Sequence, residues 1–554
     1  MRKLLFSAKL PLVAFALVAF LLAGANNAFA GATISIINLD GPGEGFNDPT
    51  PAAPVGGNPG TTLGAQRLFA FTHAANIWGS TLDSNQVIRI QAAFNPLAPN
   101  VLGSAGATFV FSDFGSVGLF PGPEFANTWY SSALADKRAG AELNPGFADI
   151  NAQFSSNFIF YLGVDNNHGA QNDLVAVLLH EFGHGLGFQN FVNEAAGTNL
   201  AGQTDVYSRY TLDTTNNLHW NDMTDAQRQA SAIRFGRVVW DGPNVTAGVP
   251  NVLSFGSPEV RVLSPAVIAG SYQFGAAQFG PAVAALPSTI TGNIVIAQDA
   301  SNVLGPLTTD GCTTILNAVA GSIALIDRGT CGFAVKAKNA QDAGAVAVII
   351  ANNAAGAAPG MAGVDPTIII PTVSLSLADA NSVKANLPGT AQIGRDLSIR
   401  AGADTLGRAR LFMPNPVQGG SSGSHYDSIA FRNLLMEPAI NGDLTHSLKA
   451  PEDLTLELMR DIGWFPDADL DGLATALDCD DTSDFSPTVV GSCNSGVPNI
   501  FFTSGCTLND LIQQIEANSS NHGQYASGVS HLTNQLKKAG LISGAQKGAI
   551  QSCL

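Results

Sequence analysis

The sequence is poor in charge, in cysteine and in long apolar runs, and each shortage excludes something. Only 12% of its 554 residues are charged while 45% are hydrophobic, which excludes extensive disorder and leaves ample material for buried cores. Basic residues are the scarcer sign, 26 against 43 acidic ones, for a formal charge of −17. That excludes nucleic acid and anionic membrane surfaces as partners, because a phosphate-binding face needs a basic patch. Cysteine is missing upstream of Cys312, so no disulfide staples the N-terminal half. After the first 30 residues no apolar run reaches the roughly eighteen uninterrupted residues that a bilayer span takes. The mature chain is therefore expected to be free of the membrane.

What is present begins with an export signal. Arg2, Lys3 and Lys9 precede an apolar run over residues 10–23, and Ala28 and Ala30 occupy the small-residue positions of a cleavage site. Cleavage after Ala30, which sets residues 1–30 apart as a signal peptide, and a secreted, extracellular location are expected. An exported chain with an even number of cysteines reads as disulfide-bonded. The simplest connectivity of the six is local: Cys312 with Cys331, Cys479 with Cys493, and Cys506 with Cys553.

A chain of this length exceeds a single core, so several domains are expected. The Pro/Gly/Asn-rich stretch 41–64 reads as loop. "AQRLFAFTHAANIWGS" then puts Leu68, Phe71, Ala75 and Trp78 on one apolar helical face, with His73 as a structural histidine. "QVIRIQAAF" alternates as a half-buried strand. Helix, strand and a further helix predict an α+β domain over residues 31–252 that resumes over 401–465. Between them, over 253–400, small and β-branched residues dominate. "SIALIDRG", "AVAVII" and "TIIIPTVSLS" read there as buried strands around the helix "AVKAKNAQDAGA", with Asp327 and Arg328 as solvated turn charges. An acidic segment, 466–495, and a tail, 496–554, with "CTLNDLIQQIEA" and "VSHLTNQLKKAGLI" as two amphipathic stretches, complete the chain.

The chemistry concentrates in "LLHEFGHGLGFQN", residues 178–190. Asn172 or Asp173 caps this helix and Gly185 and Gly187 stop it. At helical spacing His180 and His184 project from one face, so both imidazoles reach one metal ion, and Glu181 is placed to act on a water at that ion. A catalytic zinc takes three protein ligands and keeps one position open. Four residues are candidates for the third: Asn190, His219, His446 and His425. Asn190 is disfavoured because a neutral amide is a poor zinc ligand. His425 lies in the Gly/Ser loop "GGSSGSHYD", and Met436 follows in "NLLMEPAINGD".

H-E-x-x-H followed by G-x-G-F, a distant His and then a Met in a turn resembles the leishmanolysin-type metallopeptidases of the metzincin clan. The resemblance spans about residues 60–252 and 401–465, including "NTWYSSALA" and "THSLKAPEDLTLELMRDIGW". It implies His180, His184 and His425 as zinc ligands, Met436 as the apolar floor under the metal, and endopeptidic cleavage of polypeptide substrates. Glu181 would take a proton from the attacking water and pass it to the leaving amine. Two departures stand out: Asn190 occupies the third-histidine position of the compact metzincin pattern, and no tyrosine follows Met436. With no cysteine before Cys312, a propeptide cysteine on the zinc is not expected. "CTTILNAVAGSIALIDRGTCGFAVKAKNAQDAGAVAVIIANN" is similar to the protease-associated (PA) domain, which implies a module that gates or orients substrate.

In the acidic segment, "DADLDGLATALD" places Asp467, Asp469, Asp471 and Asp478 at positions 1, 3, 5 and 12 of an EF-hand-type loop, so calcium is expected beside zinc. The whole then reads as a zinc protease domain interrupted by a PA domain, followed by a calcium loop and a disulfide-stapled helical tail. A competing reading makes the protease fold a scaffold for a non-catalytic extracellular binding or adhesion protein. A two-zinc aminopeptidase is excluded on the motif, because "HEFGH" supplies no carboxylate to bridge two metals.

Overall fold

In the computed structural model, which describes residues 31–117, 122–303, 305–465, 488–491, 493–497, 499, 507–538 and 541–554, strand alternation and helical spacing resolve into four hydrophobic clusters. The expected signal segment, the loop of Asp467, Asp469, Asp471 and Asp478, and Cys479 and Cys506 lie outside the described residues.

The first sheet is built from β1 (Ile34–Asn38), β2 (Ile88–Asn95), β3 (Gly103–Ala107) and β4 (Ile150–Ser155), in the order β1-β2-β4-β3. β1, β2 and β4 run parallel, and β3 is an antiparallel edge strand. β2 alternates as its sequence predicts, burying Ile88, Ile90, Ala92 and Phe94. Helix α1 (Leu63–Thr81) starts where the Thr62 side chain accepts a hydrogen bond from the Ala65 amide. Its buried face is Phe71, Ala74, Ala75 and Trp78. Leu68, expected there, is instead on the solvent side at 43% exposure. The buried stripe continues towards the N-terminus through Ala70 and Gln66, which leaves Leu68 outside it.

Helix α2 (Leu174–Leu186) packs against α1 and the sheet with all thirteen residues buried. Asp173, the second of the two expected caps, accepts from the Val175 amide at 2.8 Å. Gly187 ends the helix at φ 122°, a conformation that L side chains rarely adopt.

The chain leaves this core after Leu253 and returns at Ala401, and residues on both sides of the excursion share one hydrophobic cluster. Helix α5 (Thr455–Asp461) closes it. Asp461 accepts hydrogen bonds from Trp240 Nε1, from the backbone and side-chain nitrogens of Asn244, and from the Val245 amide. Trp464 Nε1 donates to the Leu186 carbonyl at 2.9 Å, fastening the returning segment to the end of α2.

The excursion is a mixed sheet of eight strands. Its central order is β5 (Phe255–Ser264), β10 (Gly389–Arg400), β6 (Ile290–Ile296), β7 (Ile323–Asp327), β8 (Ala347–Ala351) and β9 (Thr372–Leu375), with Gly270–Tyr272 and Gly275–Ala276 at the two edges. The strands β6 to β9 are parallel, and their near-continuous apolar runs are what a sheet covered on both faces requires. Helices α3 (Phe333–Asp342) and α4 (Leu377–Ala385) supply the cover. Asp327 and Arg328 are not merely solvated: Asp327 pairs with Lys384 and Thr309, and Arg328 donates to Asn352.

Among its described residues the tail contains three helices rather than the two expected: α6 (Leu508–Ala517), α7 (His522–Lys538) and α8 (Gly544–Gln551). The disulfide Cys312–Cys331 joins the expected pair. Cys493, however, is bonded to Cys553 and not to Cys479. The correction has a packing cause: Val490 and Val497, either side of Cys493, share a core with Ile550 of α8, which brings Cys553 alongside. Among the described residues no helix is long and apolar enough to cross a membrane.

Candidate metal centre

α2 carries His180 and His184 one turn apart, and the loop after Gly420 brings His425 to them. The three Nε2 atoms lie 3.1, 3.2 and 3.3 Å from one another. Each Nδ1 meets a backbone carbonyl: His180 that of Leu435 at 2.8 Å, His184 that of Phe188 at 2.8 Å, His425 that of Ser421 at 2.9 Å. A carbonyl only accepts, so each Nδ1 carries the proton and each Nε2 presents a lone pair. Three lone pairs facing one another have no proton to share among them, so these are not hydrogen bonds. They are a donor set. Nitrogen ligands about 2.0–2.1 Å from a tetrahedral zinc would sit about 3.3 Å apart, which is the spacing observed. The residues fit the metal, and the carbonyls fix the tautomer each ligand needs.

Burial sets the electrostatics. In the metal-free protein, loss of solvent lowers His180 to about 4 and His184 to about 3, and holds His425 well below the ordinary histidine range, with the neighbouring imidazoles pressing the latter two further down. All three are therefore neutral and ready to bind. Glu181 is pushed up to about 8 by burial, opposed by a hydrogen bond from the Ala105 amide of β3. A cation at the histidines would draw it back down.

The histidines and Glu181 border one open cavity of about 710 Å³, with Gly103, Ser104 and Ala105 of β3 along one wall and Pro438, Ala439 and Ile440 along another. A Cβ on Gly103 would come within 2.9 Å of the Glu181 side chain, so the glycine is what lets the edge strand run this close. Met436 is fully buried, and a Cβ at Gly183 would lie 2.9 Å from its sulfur. The methionine thus packs on α2 at Gly183, the residue before His184, while its carbonyl accepts from the Tyr426 amide beside His425.

The other candidate ligands are elsewhere. His219 pairs with Asp241 at 2.7 Å and His446 with Asp173 at 2.9 Å, neither joining the cluster. His73 lies near His446, ring centroids 6.1 Å apart. Asn190 borders the cavity as a clamp on Ser424, which precedes His425, rather than as a ligand. The three carbonyls and the Asn190–Ser424 contact are invisible in the sequence; only the Gly/Ser loop hinted that the chain turns closely there.

Residues 272–383 match the family model of the PA domain; the match takes in β6 to β9 of the inserted sheet, while β5 and β10 lie outside it. An aminopeptidase of Pseudomonas aeruginosa (strain UCBPP-PA14) is 47% identical over 72 residues, 12% of this chain and 13% of the relative. The signal peptide peptidase-like 2 of Arabidopsis thaliana is 46% identical over 44 residues, 8% of each. The chain thus spans only 13% and 8% of those relatives' lengths. Among solved structures, the aminopeptidase from Aneurinibacillus sp. strain AM-1 matches at 24% identity and a TM-score of 0.20, over 26% of this chain and 31% of that one. A zinc aminopeptidase from Bacillus subtilis matches at 18% identity and a TM-score of 0.19, over 37% and 44%.

Proposed function

We propose that the chain is a secreted, zinc-dependent endopeptidase of the leishmanolysin-like metzincin type, with a PA domain spliced between its second and third metal ligands. The observation that carries this reading is the set of three buried Nε2 atoms, each with its Nδ1 proton committed to a carbonyl, at zinc-ligand spacing.

His180, His184 and His425 would hold the ion, which when bound supplies Lewis acidity to the substrate carbonyl and to water. Glu181, in the same cavity, takes the proton of the attacking water and returns it to the leaving amine. Met436 packs under α2 and keeps the two helix imidazoles at a fixed height. Among the described residues β3 has no strand on its outer side. An extended substrate can therefore add along its open edge, which positions a peptide bond past the histidines and suits cleavage within a chain. No carboxylate joins the three histidines among the described residues, which argues against a bridged two-zinc exopeptidase. The acidic loop of Asp467, Asp469, Asp471 and Asp478 is proposed as a calcium site. Isothermal titration of a variant with those four residues changed to Asn should then lose calcium heat.

The test is hydrolysis of casein by wild type and Glu181→Gln, with zinc content measured in both. Retained zinc with activity reduced at least about a hundredfold is expected. Zinc-replete wild type that cleaves no member of a broad peptide library would favour the scaffold reading.

A further inference from the structure

Glu194 opens the turn between the short strands Val192–Asn193 and Thr198–Asn199, ten residues after the second helix histidine in sequence. The residues that lead into it are held by hydrogen bonds. The Asn190 side chain holds Ser424 and accepts from the Val192 amide, and Asp205 accepts from the Phe191 amide. Glu194 borders the cavity of the three histidines and also an adjoining one of about 600 Å³, lined by Phe191, Leu200 and Val417 among others. It stands where the two meet.

Among the described residues no lysine or arginine borders either cavity, and Glu181 and Glu194 are the only carboxylates that do. Glu181 is committed to the chemistry. Glu194 is half-buried and forms no ion pair among the described residues; its own backbone amide and the Asn190 side chain hydrogen-bond it, and the charge acting on it is another carboxylate, Asp205. A partly buried carboxylate with neutral donors and a like charge acting on it, and no cation, is costly to ionise. A cation arriving from the cavity would offset that cost, and the chain's charge of −17 favours the approach of one.

We infer that Glu194 is the specificity-determining residue of the cleft, receiving a cationic group of the substrate, a lysine or arginine side chain or a free α-ammonium, at the junction of the two cavities. The inference rests on the peptidase reading for the word substrate, but its test does not need turnover. Zinc-loaded Glu181→Gln protein is titrated with dye-labelled Ala/Ser peptides. One position is Lys, norleucine or Glu, and each peptide is made with a free and an acetylated N-terminus. Fluorescence anisotropy should give about tenfold tighter binding of the Lys or free-amine member than of its neutral partner, the size of a charged hydrogen bond, and added salt should shrink the gap. The further change Glu194→Gln should collapse it to about onefold, and Glu194→Lys should favour the Glu peptide.

A preference that survives acetylation assigns the lysine side chain; one that vanishes with it assigns the α-ammonium. Equal binding of charged and neutral peptides, or a preference that persists in Glu194→Gln with zinc retained, would overturn the inference. Failure of wild type to cleave anything would count against the peptidase reading while leaving this preference measurable.

Discussion

Asn190 donates from both its backbone and its side-chain nitrogen to Ser424 Oγ, at 3.1 and 2.9 Å, across 234 residues of sequence. The residue at the compact motif's third-histidine position thus holds the neighbour of the histidine that does join the cluster. Gly423, at φ +72°, allows the contact, since a Cβ there would sit 2.9 Å from the Asn190 amide nitrogen and 3.1 Å from the Trp220 ring. Asn190→Ala should therefore keep the metal but hold it about tenfold less tightly, the usual effect of removing an outer partner of a ligand. Competition with a chelating dye checks this, and unchanged affinity would remove the clamp from the account.

Met436 and Gly183 make a second pair. A methyl at Gly183 meets the buried methionine sulfur at 2.9 Å. Gly183→Ala should lower stability by about 1–3 kcal/mol through overpacking, while the volume-conserving Met436→Leu should cost less than about 1.5 kcal/mol. Thermal melts of the zinc-loaded forms give both values; an unaffected Gly183→Ala would show that the packing has room to spare.

The pH dependence follows from the buried histidines. Their protonation is pushed down to about 4 and 3 for His180 and His184, and lower than ordinary for His425, by burial first. Protons should not compete with the metal between about pH 5 and 7, so zinc content after dialysis at pH 5.5 should equal that at 7.5. The metal-free protein has the corresponding signature. At the histidines alone, between about pH 4 and 6.5, the unfolded chain binds protons that the folded site refuses, a contribution to stability that rises with pH, whereas Glu181, pushed up to about 8, contributes in the opposite sense between about pH 4.5 and 8. Zinc loss centred near pH 6.5 would contradict the burial.

How much of this was legible in the sequence differs by element. His180, Glu181 and His184 could be read because helical spacing alone puts two imidazoles on one face. The third ligand, 241 residues after His184, was open among four residues until a family resemblance singled out His425, since no local rule reaches across an inserted domain. β3, "GSAGA", shows no apolar alternation and gave no strand signal, although its small residues are what admit the strand beside Glu181. Glu194 in "NEAAG" looks like any polar turn. Its surroundings are set by how residues 188–205 fold back, which is tertiary. The inserted sheet, by contrast, announced itself through strands apolar on both faces.

The tail's connectivity was misread for a similar reason. Sequence proximity favoured Cys479 with Cys493, yet Val490 and Val497 share a core with Ile550 of α8 and so bring Cys493 to Cys553. Non-reducing peptide mapping should recover that pair. Changing both cysteines to Ser should destabilise the tail by about 4 kcal/mol, the loop-closure value for their separation of 60 residues. A map joining Cys553 to any other cysteine would contradict the fold of the tail.

The central claim is that residues on either side of the PA domain complete one metal site. Zinc stoichiometry by mass spectrometry of purified His425→Ala, Asn190→Ala and His446→Ala, beside wild type, tests it most directly. The account predicts about one zinc per chain in wild type, in Asn190→Ala and in His446→Ala, and its loss from His425→Ala. Full zinc retained by His425→Ala, or zinc stripped by Asn190→Ala alone, would contradict it.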